Sequence, residues 1–332
     1  MPVPELFKNS LALPAIGAPM FIASTPDLVL AQCRAGIPGV FPSVNARSPE
    51  SLDEWLTRLK RELAADGSAS RGFPAAPFGV NLIVHATNPR VADDLAIVTC
   101  HRVPFVVTSV GKPAEVVKVV HDYGGIVFHD VTTVKYARKA IESGVDGLIL
   151  VCAGAGGHAG ILSPFAFMAE VRAFWPGPIA LAGAISTGRA IRAAEVLGAD
   201  FAYLGTRFLA TREASVPEAY KRMIVEHAAA DVMYTSAFSG LPANYLRPSI
   251  VACGIDPETI EESRGKPTVK IFEQGANKPK AWKDLWSAGQ GIGAIQEVTS
   301  VEEVVATLRR EYRDACQTAA TGRDGNGASQ SR

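Results

Sequence analysis

The sequence predicts an α/β protein, a (β/α)8 TIM barrel with a small, mainly helical inserted domain after strand eight. Three observations predict it. Eight short apolar runs recur between residues 15 and 208. Stretches with helical spacing of apolar residues lie between them. The rhythm then breaks after Phe208. Most runs are continuously apolar and rich in Val, Ile, Leu and Phe, as in parallel strands buried on both faces. Eight βα units are the number that closes a barrel. An open, doubly wound sheet would use the same units.

In chain order the runs are AIGAPM (15–20), GVFPSVN (39–45), FGVNLIV (78–84), FVVTSVG (105–111), GIVFHDV (125–131), GLILVCA (147–153), PIALAGA (178–184) and FAYLGTRF (201–208). Between the first two, Pro26 to Ala35 carries Leu28, Leu30 and Ala31 on one side. Ser51 to Leu63 places Leu52, Trp55, Leu56, Leu59 and Leu63 at helical spacing with charges opposite. Val134 to Ser143 and Gly188 to Leu197 follow the same plan. The closures AGIPGV, SGVDGL and LGADFA supply glycine where a helix end turns left-handed. After Phe208 come a helical piece (Pro217 to Ala229), the Pro/Gly-rich SGLPANYLRPS (239–249) and the charged PETIEESRGKPTVK (257–270). Val301 to Tyr312 reads as a last amphipathic helix that completes the barrel wall. The domains expected are therefore a barrel of residues 1–208 and 291–315, an insert of 209–290 and a disordered tail of 316–332.

Composition narrows the function. The 332 residues are 48% hydrophobic and 20% charged, a globular balance. With 33 basic against 33 acidic residues, the chain has no electrostatic reason to bind nucleic acid. No charge-free apolar run reaches about 18 residues, so no membrane span is expected. Five scattered cysteines without a CxxC pair argue against a zinc site or a disulfide framework. The opening MPVPELFKNS lacks a signal-peptide pattern, and a cytoplasmic protein is expected.

A barrel carries its chemistry at the C-terminal ends of its strands. The sixth run ends in Gly154-Ala155-Gly156-Gly157-His158-Ala159-Gly160. Those glycines let backbone approach a flat ligand, and His158 can exchange a proton near neutral pH. The seventh run ends Ala182-Gly183-Ala184-Ile185-Ser186-Thr187-Gly188, and the eighth ends Leu204-Gly205-Thr206-Arg207. Glycine loops after strands seven and eight are where barrels commonly bind phosphate. Asn81 sits in an otherwise apolar run and needs partners, from a ligand edge or from neighbouring backbone. Asp130 is either a site acid or the cap of the helix that follows. Cys152, Trp282 and Trp286 read as core residues. Ser287 to Gly291 is another loop that can approach a ligand.

The chain resembles the FMN-dependent nitronate monooxygenases, formerly called 2-nitropropane dioxygenases. That family is related to FMN-containing enoyl-ACP reductases and to NADH:quinone reductases. The resemblance spans roughly residues 11–315. It rests on APM (18–20), PFGVNL (77–82), AGGHAG (155–160), AGAISTGRAI (182–191), LGADFAYLGTRFLAT (197–211) and WSAGQGIG (286–293). It implies FMN as cofactor and His158 as the active-site histidine. It implies Ala18, Pro19, Met20 and Asn81 along the flavin ring, with Asp130 and Gly160 nearby. Gly183, Ala184, Gly205 and Thr206 would cradle the phosphate, and Gln290 and Gly291 would reach the flavin from the insert. Many relatives carry an acid or amide at the position of Val151 and Glu at that of Gly154. The quinone reductases carry Lys at that of Asp130, and the usual Gly-Gly-Ile is Gly-Ala-Ile here.

The implied reaction is oxidation of a nitronate or nitroalkane by O2 to a carbonyl compound and nitrite. One alternative is an NAD(P)H-dependent reductase acting on a quinone or an enoyl thioester. Another is a flavin-binding protein without turnover. No metal is implied, and a homodimer stays open.

Overall fold

The computed structural model describes residues 4–66, 74–262 and 279–321. Each apolar run supplies one barrel strand: β1 (Ala15–Gly17), β2 (Val40–Pro42), β3 (Gly79–Ile83), β4 (Phe105–Ser109), β5 (Ile126–Val131), β6 (Gly147–Val151), β8 (Ile179–Ala182) and β9 (Phe201–Leu204). A further two-residue strand, β7 (Gly157–His158), belongs to a second sheet. The eight barrel strands are parallel and ordered β1-β9-β8-β6-β5-β4-β3-β2. A parallel bridge from Gly17 to Gly39 joins the two ends, and the Gly17 N–H donates to Pro38 O at 2.8 Å. The sheet is thus a closed TIM barrel. Glycine is required at that seam. A Cβ on Gly17 would lie 2.5 Å from Gln32 Nε2, and one on Gly39 2.8 Å from Gln32 Oε1.

The wall holds α1 (Pro26–Arg34), α2 (Pro49–Ala64), α3 (Val91–Cys100), α4 (Ala114–Asp122), α5 (Val134–Glu142), α6 (Pro164–Arg172) and α7 (Gly188–Val196). Gly36, Gly144 and Gly198 have φ of 81°, 82° and 100°, the left-handed closures the sequence asks for. Inside the barrel, strand alternation turns Val40, Phe105, Val107, Phe128, Ile149, Ala180, Phe201 and Tyr203 into one cluster. Phe7, on a 3-10 turn at Glu5–Phe7, plugs the N-terminal end. Its ring meets Phe105 edge-on at 5.2 Å and Phe201 at 5.3 Å.

The segment after β9 contains α8 (Thr206–Leu209), α9 (Glu218–Glu226), α10 (Arg247–Ala252) and α11 (Pro257–Glu262). It also contains an antiparallel hairpin, β10 (Val232–Thr235) and β11 (Ala243–Leu246), that the sequence reading did not anticipate. Residues 263–278, which include the second part of the charged stretch (263–270), lie outside the described residues. The last helix, α12 (Val301–Thr321), packs on α7 and α1. Leu308 of α12 joins Leu28 and Ile191 in a core there. This helix corrects the expected tail boundary, because 316–321 continue it. The polar QTAAT stretch carries two alanines, the best helix formers, and extends a helix already nucleated. Residues 322–332 lie outside the described residues. No helix among the described residues is long and apolar enough to cross a membrane.

Candidate active site

The glycine loops meet at the C-terminal mouth of the barrel. The loop after β6 is held at both ends. The Gly160 N–H donates to Val151 O at 3.2 Å, and the Ala184 N–H reaches Gly154 O at 3.2 Å from the loop after β8. Gly154 O also accepts the Gln290 N–H at 2.9 Å. The Gly289 N–H donates to Thr206 Oγ1 at 2.9 Å. Residues 154, 184, 206 and 290 are therefore brought together by backbone bonds. Ala18 and Met20 adjoin them, since the Ala18 N–H donates to Leu204 O at 2.8 Å. A Cβ on Gly205 would sit 3.5 Å from Ala18 Cβ and 3.6 Å from Met20 Sδ. Asn45 fixes the loop that carries Pro19. Its Nδ2 donates to Met20 O at 3.0 Å and to Ser24 O at 2.8 Å.

Gly154 and Ala184 show what the unusual residues do locally. Gly154 has φ of 82°, and a Cβ there would lie 2.9 Å from Gln290 Oε1. The Gln290 amide takes the space a longer side chain would need. Ala184 has φ of 55°, in the left-handed region that costs an L-residue about 1–2 kcal/mol.

His158 follows the glycines of the β6 loop, on the side that meets the hairpin. Its strand, β7, pairs with β11, with His158 opposite Ala243 and Gly157 opposite Asn244. Asn244 Nδ2 donates to Ala155 O at 2.7 Å, and the Ser287 hydroxyl donates to Asn244 O at 2.6 Å. The Ser287 oxygen in turn accepts the Gly157 N–H at 2.7 Å. Both ring neighbours of His158 come from the segment after β9. Trp282 meets it edge-on at 5.3 Å, and Ser239 Oγ lies 3.3 Å from Nε2. Ser239 directs its single hydrogen to Leu241 O at 2.9 Å, so its oxygen accepts from Nε2–H. Nδ1 then keeps its lone pair. Removal from water lowers the pKa of His158, so the ring is neutral near pH 7.

Both tryptophans are half-buried and pack against hydrophobic clusters of the insert, in keeping with the core reading, though not on a helix face. Residues 281–285 form a bridged turn, not a helix. Trp282, at φ 71°, stacks on Tyr245 at 5.1 Å and faces His158. Trp286 stacks on Tyr220 at 4.9 Å. Cys152 is fully buried, as expected.

Asn81 is buried, and its Nδ2 donates to Val107 O at 3.3 Å and to Ser109 Oγ at 3.1 Å. Asp130 is not the helix cap. Thr133 caps α5 by accepting the Tyr136 N–H at 3.3 Å, because it sits at the N-cap position and Asp130 lies within β5. Asp130 instead ends the inward-facing row of β5, with Oδ1 enclosed and unpartnered. Burial pushes its carboxyl up to about 7. The sequence reading passed over two further residues. Tyr203 has a buried hydroxyl with no partner. Arg207 is 8% exposed, with Nε and Nη1 unpartnered. Arg207 and Ser186 line one cavity of about 440 Å³ that touches the loops after β8 and β9. A charged residue directly after Gly205-Thr206 was the available signal for Arg207.

Comparison with known proteins agrees with the barrel fold. The family model described as nitronate monooxygenase matches residues 85–311. A nitronate monooxygenase of Paraburkholderia phytofirmans is 28% identical over 92% of this chain and 93% of its own length. FabK of Thermotoga maritima superposes with a TM-score of 0.76 at 26% identity, covering 95% of this chain and 97% of its own. A nitroalkane oxidase of Streptomyces ansochromogenes shares the fold, with a TM-score of 0.74 at 24% identity, covering 95% of this chain and all of its own.

Proposed function

The chain belongs to the nitronate monooxygenase family, and from that premise we propose that it is an FMN-dependent enzyme oxidising alkyl nitronates or nitroalkanes with O2 to a carbonyl compound and nitrite. The observation that carries this reading is the meeting of three strand-end glycine loops beside a neutral histidine.

The residues present fit the cofactor. Gly183, Ala184, Gly205 and Thr206 would hold the phosphate, with the buried cation of Arg207 next in sequence to offset its charge. Ala18, Pro19, Met20, Asn81, Asp130, Gly160, Gln290 and Gly291 would border the remainder. Bound there, FMN supplies the transfer of electrons from substrate to O2. The chain's own groups orient the substrate and move its proton. Nδ1 of His158 accepts the α proton of a neutral nitroalkane. Once that proton has moved, Nδ1–H of the imidazolium holds the charged oxygens of the nitronate formed; a preformed nitronate needs no proton removed. Trp282 and the β10–β11 hairpin flank His158, which itself stays exposed to solvent.

His158→Asn is expected to keep FMN while turnover of neutral nitroalkane falls about 10²–10³-fold. Turnover of preformed nitronate should fall far less. Full activity on nitroalkane would remove the base role. The test of the whole reading is anaerobic flavin absorbance after mixing with a nitronate and, in parallel, with NAD(P)H. Bleaching by nitronate alone supports it. Reduction by NAD(P)H alone favours the reductase, and a protein that takes up no added FMN loses the cofactor assignment.

A further inference from the structure

Two buried oxygens at the mouth of the barrel have no partner: Asp130 Oδ1 on β5 and the Tyr203 hydroxyl on β9. Both belong to the inward-facing set. Asp130 continues the row of Ile126 and Phe128, and Tyr203 that of Phe201. Tyr203 lies opposite Ile16 on one neighbouring strand and Ala182 on the other. Both lie inside the barrel at the C-terminal ends of their strands, and no hydrogen bond joins them; burial, with the Asp130 charge adding to it, raises the phenol well above its ordinary range. Burying such groups without partners is costly, so a ligand atom or water that meets both is favoured.

The neighbours decide which kind of atom. Across the barrel wall, β3 presents Asn81, whose Nδ2 is already bonded to Val107 O and Ser109 Oγ. On β4 Ser109 follows Thr108, the partner of His129; on β6 Asp130 lies opposite Ile149, while Val151 lies opposite Ala182, the neighbour of Tyr203. The adjacent His129 is turned to the other face of β5, where Nδ1 meets Thr108 Oγ1 at 2.8 Å. His158 is engaged with the hairpin side. The titratable groups that face the mouth among these strands are therefore Asp130 and Tyr203. No cation compensates the carboxylate, and burial alone sets its pKa. With its pKa pushed up to about 7, the carboxyl keeps its proton below that pH and is then a hydrogen-bond donor, as a phenol already is.

We propose that Asp130 and Tyr203 form an oxyanion-binding donor pair: a neutral carboxyl and a phenol hydroxyl that together bind a negatively charged oxygen, such as a nitronate, carboxylate or enolate oxygen. This deepens the reading above by naming what holds the anionic substrate. Binding of the anion is then linked to one proton. When Asp130 is ionised, the pair has one donor and one repelling charge. The anion binds only with uptake of the proton that restores the carboxyl.

Butyrate is the probe, being planar at the head group and unable to turn over. It is titrated calorimetrically into the protein as purified, with and without added FMN, between pH 6 and 9. Expected is a Kd that is flat at low pH and rises about tenfold per pH unit above about 7. Comparing buffers of different ionisation enthalpy should show uptake approaching one proton per butyrate at pH 8. Asp130→Asn keeps a neutral donor at every pH, so its Kd should stay flat near the low-pH value, with no proton uptake. Tyr203→Phe should weaken binding about tenfold at all pH values while the break stays in place. His158 titrates below its ordinary value and Tyr203 well above, so neither produces a break near 7. A flat wild-type profile, an Asp130→Asn profile that keeps the break, or no butyrate binding at any pH overturns the proposal. Failure to bind FMN overturns the cofactor reading, while the calorimetric linkage still reports on the pair.

Discussion

Ala184 sits in a backbone conformation that suits glycine, at φ 55° on the exposed rim of the site. The left-handed region costs an alanine about 1–2 kcal/mol, and glycine's greater freedom when unfolded returns about 0.5–1 kcal/mol of that. Ala184→Gly is therefore expected to stabilise the protein by about 0.5–1 kcal/mol, read as a rise in urea midpoint at unchanged slope. Individual residues were legible where backbone geometry restricts the choice. Gly154 and Gly183 announce loops because few residues tolerate their positive φ. The strand-end rule then made His158 conspicuous. Residues whose role depends on distant partners were not legible. Tyr203 reads as one more apolar strand residue, and only the closed barrel sets it near Asp130. Trp282 lies four positions before Trp286, a spacing that mimics a helix face. A bridged turn instead sends the two rings to different neighbours, His158 and Tyr220.

At the scale of elements, the barrel strands were readable because burial on both faces makes them continuous apolar runs. The β10–β11 hairpin was not. VMYT and ANYL are four residues each, with half-buried positions in the first, and SGLP between them reads as loop. The N-terminal 3-10 turn is equally silent in sequence, although it supports the barrel. Phe7 is 1% exposed and meets Phe105, Phe128 and Phe201 with edge-to-face geometry. Phe7→Ala should cost about 3–5 kcal/mol through lost burial and a cavity that these rigid rings cannot close. Equilibrium denaturation measures it, and a loss below about 1 kcal/mol would mean the plug is dispensable. The seam between α7 and α12 is as tightly fixed. A Cβ on Gly188 would lie 2.2 Å from Leu308 O, and the Gly188 N–H donates to Glu311 Oε2 at 2.7 Å.

Across the whole molecule, one buried imidazole ties stability to acid. His129 is 5% exposed, and burial pushes its pKa down to about 4. In the unfolded chain the ring takes a proton near its ordinary pKa of about 6.5. Its contribution is therefore fully present above about pH 6.5 and is lost as pH falls through about 4. The loss amounts to as much as about 3 kcal/mol. Thermal unfolding followed from pH 7 to 4 should show this decline, and His129→Gln should flatten it. An unchanged slope in that variant would assign the acid sensitivity to other groups.

The pairing of β7 with β11 sets the order in which the enzyme becomes an enzyme. The barrel can close through its own eight strands, but the short strand bearing His158 has no partner until the later hairpin arrives. Because side chains alternate along a strand, a one-residue slip of β11 would put a different face of the hairpin beside that histidine. His158 is thus positioned by chain made some 80 residues downstream, across its separation from Ser239. In refolding, barrel structure should return before His158 is in place, and changes in the hairpin can move this histidine without disturbing the eight barrel strands.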